Sequence, residues 1–304
     1  MIYAPVGAQT FPSKTIHLVS GVSPGAASDT MARMLAEKLS ARLGATVIVE
    51  NKLGAGGIVA AKYVAQAEPD GHVISIYTSA FTIAPILNPG TLDPAGLQPV
   101  AMLGTVPTVL VATPAKYKTL DDLVNAARAK PGGLVGANAG IGSSTHMNLE
   151  RFRLAAGLTF LNLPMKGPSE AITDVITGRA DLYFAPVFSV EKFVQAGSLA
   201  ALAVGSPKRS ALFPNLPTTL EAGFPKSDYN FWIGALVSSR TPRSVVQRLN
   251  AEFTAVLQLP EVKESMRTLG VEPFPQTLDE FEALIKRELD ENAQLVKAAG
   301  IKLN

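Results

Sequence analysis

Gly21-Val22-Ser23-Pro24-Gly25 has the G-x-S-x-G spacing of a nucleophile elbow, set between an apolar run (Ile16, Leu18, Val19) and a helical pattern. The chemistry would be ester hydrolysis through Ser23. In an elbow, the residue after the serine gives its backbone N–H to the oxyanion, and Pro24 has none. Losing one such donor costs roughly a hundredfold in rate or more. The same residues suit an anion better. Gly25, Ala26 and Ala27 offer bare backbone, and Ser28 is placed to cap the helix that follows. A helix start carries unpaired N–H groups and a partial positive charge, and a turn of small residues lets an anion approach them. Asp29 complicates this, because its charge suits the helix dipole but competes with a bound anion. It either caps the helix, or orients the turn or a donor group of the ligand. The turn is expected to hold one end of a small carboxylate.

A second turn, Gly140-Ile141-Gly142-Ser143-Ser144-Thr145-His146, also lies between a strand and a helix. Ser143 or Ser144 can cap, and the hydroxyls can reach a ligand oxygen. No Gly-Lys-Ser/Thr follows, so it is not a phosphate loop of the Walker type. His146 falls in the first helical turn, where the dipole favours the neutral ring; a packing role is expected before a general base. Gly54-Ala55-Gly56-Gly57 lacks G-x-G-x-x-G spacing and reads as a tight turn with close helix–strand packing. The three histidines form neither H-E-x-x-H nor H-x-H, so no metal site is expected. Thr78 and Ser79 follow the third strand. Open α/β sheets bind ligands beyond the carboxyl ends of their strands, and both turns and this segment share that address. Phe184, Phe188, Phe231 and Trp232 are expected partly in the core; any that line the cleft would favour an apolar or aromatic ligand body.

The elements that must position these residues alternate. Strand 16–19 leads to a helix with Met31, Met34, Leu35, Leu39 and Leu43 on one face, stopped by Gly44. Arg33 and Glu37 are spaced for an ion pair on its wet side. Strand 47–50, the glycine turn, a helix with Ile58, Ala61, Val64 and Ala65, and strand 73–76 follow. Strand–helix alternation is the pattern of a parallel sheet covered on both faces. Residues 81–99 read as a loop and 100–113 as extended. Alternation resumes with a helix capped by Thr119 and Asp122, strand 134–137, helix 144–156, strand 159–163, a helix opened by Pro168 and ended by Gly178, strand 182–184, a helix near Glu191 and strand 199–204. After a loop at 207–226, residues 231–238 are extended and the tail is helical (242–257, 260–269, 278–299), the last helix capped by Thr277 and Glu280 and closed by Gly300. The fold class is α/β, with 105–229 as one unit, 1–104 and 230–304 as the other, and two extended crossings between them.

The 304 residues fit about two domains. At 47% hydrophobic and 17% charged, the chain can bury large cores. A net charge of +2 with scattered Lys and Arg argues against nucleic acid as a partner. No apolar run is long enough to span a bilayer. The lack of cysteine excludes disulfides, thiolate metal sites and a cysteine nucleophile. Residues 1–8 are too short for a signal peptide, and 4–10 read as the remnant left by removal of one or as a loose terminus.

End to end, the chain resembles the Bug family, the solute-binding proteins of tripartite tricarboxylate transporters. The resemblance is carried by Phe11-Pro12-Ser13-Lys14, Pro24-Gly25 through Asp29, Val49-Glu50-Asn51-Lys52 with Gly54-Ala55-Gly56-Gly57, Pro69-Asp70-Gly71, Gly140-Ile141-Gly142-Ser143 with His146, Lys166-Gly167 with Asp174, Pro217-Thr218 with Glu221-Ala222-Gly223, and Thr241-Pro242 through Asn250. It implies a two-lobed periplasmic-binding-protein fold of the Venus flytrap, type II-like kind, no cofactor, a small organic acid as ligand, membrane permease subunits as partners, and a periplasmic monomer. It implies that Ser23–Asp29 and Gly140–His146 grip one carboxylate, partly through ordered water. Thr78, Ser79 and a loop at Ala185-Pro186 would choose the other end. The chain has Gly21-Val22 where the family usually has Pro-Phe, Ala26 where it has a second Gly, and Ala185-Pro186 where it often has Asp-Asn. The last change removes a partner for an amino or hydroxyl group and favours a carboxylate without an amine, such as an aromatic one; a dicarboxylate is the other ligand class in this reading. The rival readings are a serine esterase of the α/β-hydrolase kind and a two-lobed ligand-sensing module, which would need an attached DNA-binding or signalling segment.

Overall fold

A computed structural model describes residues 11–229 and 231–302; the reading of 4–10 falls outside them. The element order is β1 (Ile16–Ser20), α1 (Ala27–Leu43), β2 (Val47–Asn51), α2 (Ile58–Gln66), β3 (Val73–Thr78), α3 (Ala84–Leu87), β4 (Leu97–Thr105), β5 (Thr108–Ala112), α4 (Leu120–Ala129), β6 (Leu134–Asn138), α5 (Ser144–Ala155), β7 (Phe160–Pro164), α6 (Pro168–Ile176), β8 (Leu182–Pro186), α7 (Val187–Gln195), β9 (Ala200–Val204), β10 (Trp232–Ser238), α8 (Arg243–Leu257), α9 (Pro260–Thr268) and α10 (Leu278–Ala299). Among the described residues no helix is long and apolar enough to cross a membrane.

The strands form two five-stranded sheets, β2-β1-β3-β10-β4 and β7-β6-β8-β5-β9. Helices cover both faces of each. The apolar stripe of α1 (Met31, Leu35, Leu39) packs with α8 on one face of the first sheet, while α2 and α10 bury Ala61, Val64 and Phe281 on the other. In the second sheet, α4 and α5 bury Leu123 and Phe152 on one face, and α6 and α7 bury Val175 and Val190 on the other. Both capping boxes form, at Thr119/Asp122 and Thr277/Glu280.

The sheets are mixed, not parallel. β10 runs antiparallel to β3 and β4, and β5 runs antiparallel to β8 and β9. The cause is the crossing: a chain leaving one sheet straight into the next enters against the strands built by βαβ turns. The crossings run side by side, with the Val106 N–H donating to the Phe231 carbonyl at 2.7 Å. The segment 81–99 is not a plain loop. It holds a 3-10 turn (Ser79–Thr82), α3, a second 3-10 turn (Pro94–Gly96) and the start of β4.

Glycines at the carboxyl ends of the first strands let the turns close on one another. A Cβ on Gly21 would lie 2.5 Å from the Gly57 Cα, and one on Gly57 (φ 96°) would lie 2.0 Å from the Tyr77 ring. Gly57→Ala must therefore displace Tyr77, whose hydroxyl donates to the Gly56 carbonyl at 2.9 Å. Gly56 has positive φ but open space around it. Urea denaturation is expected to show Gly57→Ala destabilising by about 2–4 kcal/mol and Gly56→Ala by about 1 kcal/mol.

Candidate functional site

The first turn is held from beneath. Asp29 is fully buried, and its carboxylate accepts the Gly25 N–H at 2.9 Å, the Asn51 amide at 2.7 Å, and Arg33 through Nε at 3.0 Å and a terminal nitrogen at 3.2 Å. Asn51, the last residue of β2, also donates to the Val22 carbonyl at 2.9 Å and accepts from Arg33 at 2.8 Å. Burial opposes the charged form of Asp29, but the Arg33, Asn51 and Gly25 hydrogen bonds outweigh it and hold the carboxyl below its usual range. Asp29 therefore orients the turn. It does not cap: α1 begins after Ala26, which has no side-chain cap, and Ser28 sits buried within the first turn of the helix. Arg33 pairs with Asp29 and not with Glu37, whose partner is Lys38. Gly25 takes the left-handed conformation (φ 86°) while Ala26 is extended (φ −64°), so an alanine fits where the family has a second glycine. Ser23, Pro24 and Gly25 are exposed. Among the described residues, the Ala27, Ser28 and Asp29 N–H groups have no backbone or side-chain acceptor.

The second turn is braced in the same manner by neutral groups. Ser143 caps α5, its Oγ accepting the His146 N–H at 3.2 Å and meeting the Thr145 hydroxyl at 3.0 Å. The Gly140 N–H donates to Asn138 at 2.9 Å, and the Gly142 N–H donates to His146 Nδ1 at 3.1 Å. His146 is buried, with Asn162 2.5 Å from Nε2. Burial, and then the Arg153 charge, push its ring down to about 4, so it is neutral at physiological pH and serves as a brace. Ser144 and Thr145 have free N–H groups among the described residues.

The candidate segments form one chain of contacts. The first turn packs on Gly57, Gly57 on Tyr77, and Thr78 ends that strand, its Oγ1 accepting the Ala80 N–H at 3.4 Å. A Cβ on Gly142 would lie 2.4 Å from Leu87, so the second turn abuts α3. Tyr229, fully buried near the second crossing, donates to Ser79 Oγ at 3.1 Å and faces the Ser144 side chain. Ser79 is itself buried beneath Thr78. Ala185 and Pro186 are not a loop. They end β8, buried and paired with Val109 and Thr108 of β5. Of the aromatic candidates, Phe184 and Trp232 are fully buried in separate cores, Phe231 packs on the core that α1 and α8 form, and Phe188 lies against Gly270. No aromatic wall is thereby assembled from them. Sequence reasoning gave no role to Asn51, Asn162 or Tyr229. A polar residue ending β2 beside the first turn is a usable signal for Asn51, whereas Tyr229 lies between the 207–226 loop and the extended run from 231, where no periodicity marks it.

Each histidine is engaged away from Ser23: His17 with Glu50 at 2.7 Å, His72 with the Ser13 N–H at 3.0 Å, and His146 as above. Among the described residues no cluster of His, Asp and Glu is gathered that could hold a metal ion.

Residues 31–301 match the family described as the tripartite tricarboxylate transporter family receptor. Protein BugT of Bordetella pertussis is 33% identical over 312 residues, covering 99% of this chain and 94% of that protein. Rpa4515 of R. palustris, solved with adipate, is 28% identical with a TM-score of 0.79, covering 96% of this chain and 99% of that one. MatC of Rhodopseudomonas palustris, solved with bound malate, is 26% identical with a TM-score of 0.75, covering 94% of this chain and all 100% of that one.

Because the Asp29 carboxyl is held low in the fold, its contribution to stability is complete above the unfolded value of 3.8 and is lost as pH falls below it. Melting temperature followed from neutral to acid pH is expected to fall less steeply below that value in Asp29→Asn than in the parent, while Asp29→Asn is the less stable protein at neutral pH.

Proposed function

We propose that the chain, which belongs to the tripartite tricarboxylate transporter receptor family, captures a small organic dicarboxylate outside the cytoplasm and delivers it to the permease subunits of such a transporter, as a monomer and with no catalytic step. The observation that carries this is the engagement of Asp29. Its charge is consumed by Arg33, Asn51 and Gly25, so the first turn presents N–H donors without a competing anion. The second turn adds the Ser143 and Ser144 hydroxyls and the free N–H groups at the start of α5, and its histidine is neutral. Hydrogen bonds to a charged group are worth about 1.5–3 kcal/mol each, and two such turns suffice to hold one carboxylate, in part through water.

The ligand residues in this reading are Ser23, Pro24, Gly25, Ala26, Ala27, Thr78, Ser79, Gly140, Gly142, Ser143 and Ser144. Asp29 and His146 act as braces behind them, and Ala185 and Pro186 serve as the floor that β5 and β8 form. A dicarboxylate is supported by the adipate and malate bound to two relatives and by a buried Ala185-Pro186 pair that offers no acid to an amine. Units 1–104 with 230–304 and 105–229 are the bodies that close, hinged where Val106 and Phe231 run side by side. An esterase reading is disfavoured because Pro24 has no N–H and no histidine reaches Ser23.

In a thermal-shift screen, adipate or malate at a hundred times its Kd is expected to add about 2.7 kcal/mol of stability. Ser143→Ala should weaken that ligand about tenfold while lowering the melting temperature of the free protein by only about 2–4 °C, the loss of one cap. Unchanged affinity in Ser143→Ala would remove the second turn from the site.

A further inference from the structure

One buried cluster is used by nothing described so far. The Thr82 hydroxyl, fully buried in the 3-10 turn after β3, has three neighbours: the Ser79 carbonyl at 2.9 Å, Glu288 Oε2 at 3.2 Å and the Asn292 amide nitrogen at 2.9 Å. Arg151 donates to the Asn292 oxygen at 3.2 Å, which fixes that amide with its N–H2 aimed at Thr82. Thr82 therefore accepts from Asn292 and has a single proton for two oxygens. If Glu288 is ionised, Thr82 must choose between the carboxylate and Ser79. If Glu288 carries a proton, it donates to Thr82, Thr82 donates to Ser79, and every group in the cluster is satisfied. Glu288 Oε2 also accepts the Trp232 indole N–H at 2.8 Å.

We infer that Glu288 is a positioning residue for ligand capture: protonated, it frees the Thr82 hydroxyl to fix the Ser79 carbonyl, and ionised, it draws that hydroxyl away and releases Ser79. This rests on the carboxylate-capture reading, in which Ser79 helps choose the far end of the ligand. Ser79 is also tied through Tyr229 to Ser144 on the other side of the site, so its release is felt in both units. A second effect has the same sign, because an ionised Glu288 adds a negative charge behind an anion site. The charged and titratable groups facing Glu288 are Arg151 from α5, Arg287 from its own helix and the Tyr229 phenol. Burial outweighs the two arginines and the Trp232 and Thr82 hydrogen bonds, and pushes the Glu288 carboxyl up to about 7.

Trp232 is the sole tryptophan of the chain, so its emission reads Glu288 directly. In the ligand-free protein, emission is expected to step with a midpoint near 7 and to show no step in Glu288→Gln, which keeps an acceptor for Trp232 but cannot titrate. Adipate affinity, measured by calorimetry, is expected to weaken by about thirtyfold between about pH 6 and about pH 8.5 at full coupling. It should stay level over that range in Glu288→Gln. Thr82→Val, which cuts the relay, is expected to keep the emission step and to shrink the affinity change to the part that the Glu288 charge alone supplies; an affinity change as large as in the parent overturns the relay, which decides the matter if Glu288→Gln does not fold. An absent emission step, or a step with unchanged affinity in the parent protein, overturns the inference. If neither adipate nor malate binds at either pH, the capture reading has failed, and hydrogen exchange at the Ser79–Thr82 amides then decides this one. Protection that falls as the emission steps supports it, and protection that does not move overturns it.

Discussion

The structure around the site depends on one buried charge, the arginine that neutralises it and the two neutral donors that hold it. An isolated carboxylate in the position of Asp29 would repel any anion at the start of α1 and would be costly to bury. Arg33 from the next helical turn, Asn51 from the end of β2 and the Gly25 N–H convert it into the anchor of the first turn. The anchor also sets the backbone. Gly25 takes a left-handed position with its N–H on Asp29, Ala26 is extended, and the next three N–H groups have no acceptor among the described residues. The second turn reaches the same end with uncharged braces, because Asn138 and a neutral His146 accept the glycine N–H groups there.

These two turns belong to different sheets. Paired crossings at Val106 and Phe231, the contact of Gly142 with α3, the Tyr229 hydroxyl, Arg151 with Glu291 and Asn292, and Ser210 with Glu272 are among the links between the two units. The small cluster of Ile83, Met147, Tyr229 and Leu295 is the apolar part of that junction. Glu288 lies at this junction, against Thr82 and Trp232.

Much of this was legible in the amino-acid sequence because it is local. Both capping boxes, the helix stops at Gly44, Gly178 and Gly300, and the strand–turn–helix order around Ser23 and Ser143 follow from residues a few positions apart. What was misread depends on distant partners. The direction of β5 and β10 is set by the crossings, so a parallel pattern was expected where mixed sheets form. Ala185 and Pro186 look like loop residues until β5 supplies their pairing. Arg33 has acids four residues to either side, and burial of Asp29, invisible in the sequence, decides between them. The short helices between Ser79 and Leu87 exist because they pack on α10 and the second turn, and their own composition does not announce them.

In the proposed site, amide hydrogens at the fronts of α1 and α5 hold one carboxylate between them, with Asp29 held back from it. A crystal structure of the protein with adipate is the decisive measurement. One carboxylate group is expected to be bonded, directly or through a water, to the N–H groups of the Ala27–Asp29 and Ser144–Thr145 segments, with the Asp29–Arg33 pair intact. Adipate seated elsewhere, or an Asp29 side chain swung out of its pair to touch the ligand, would contradict it.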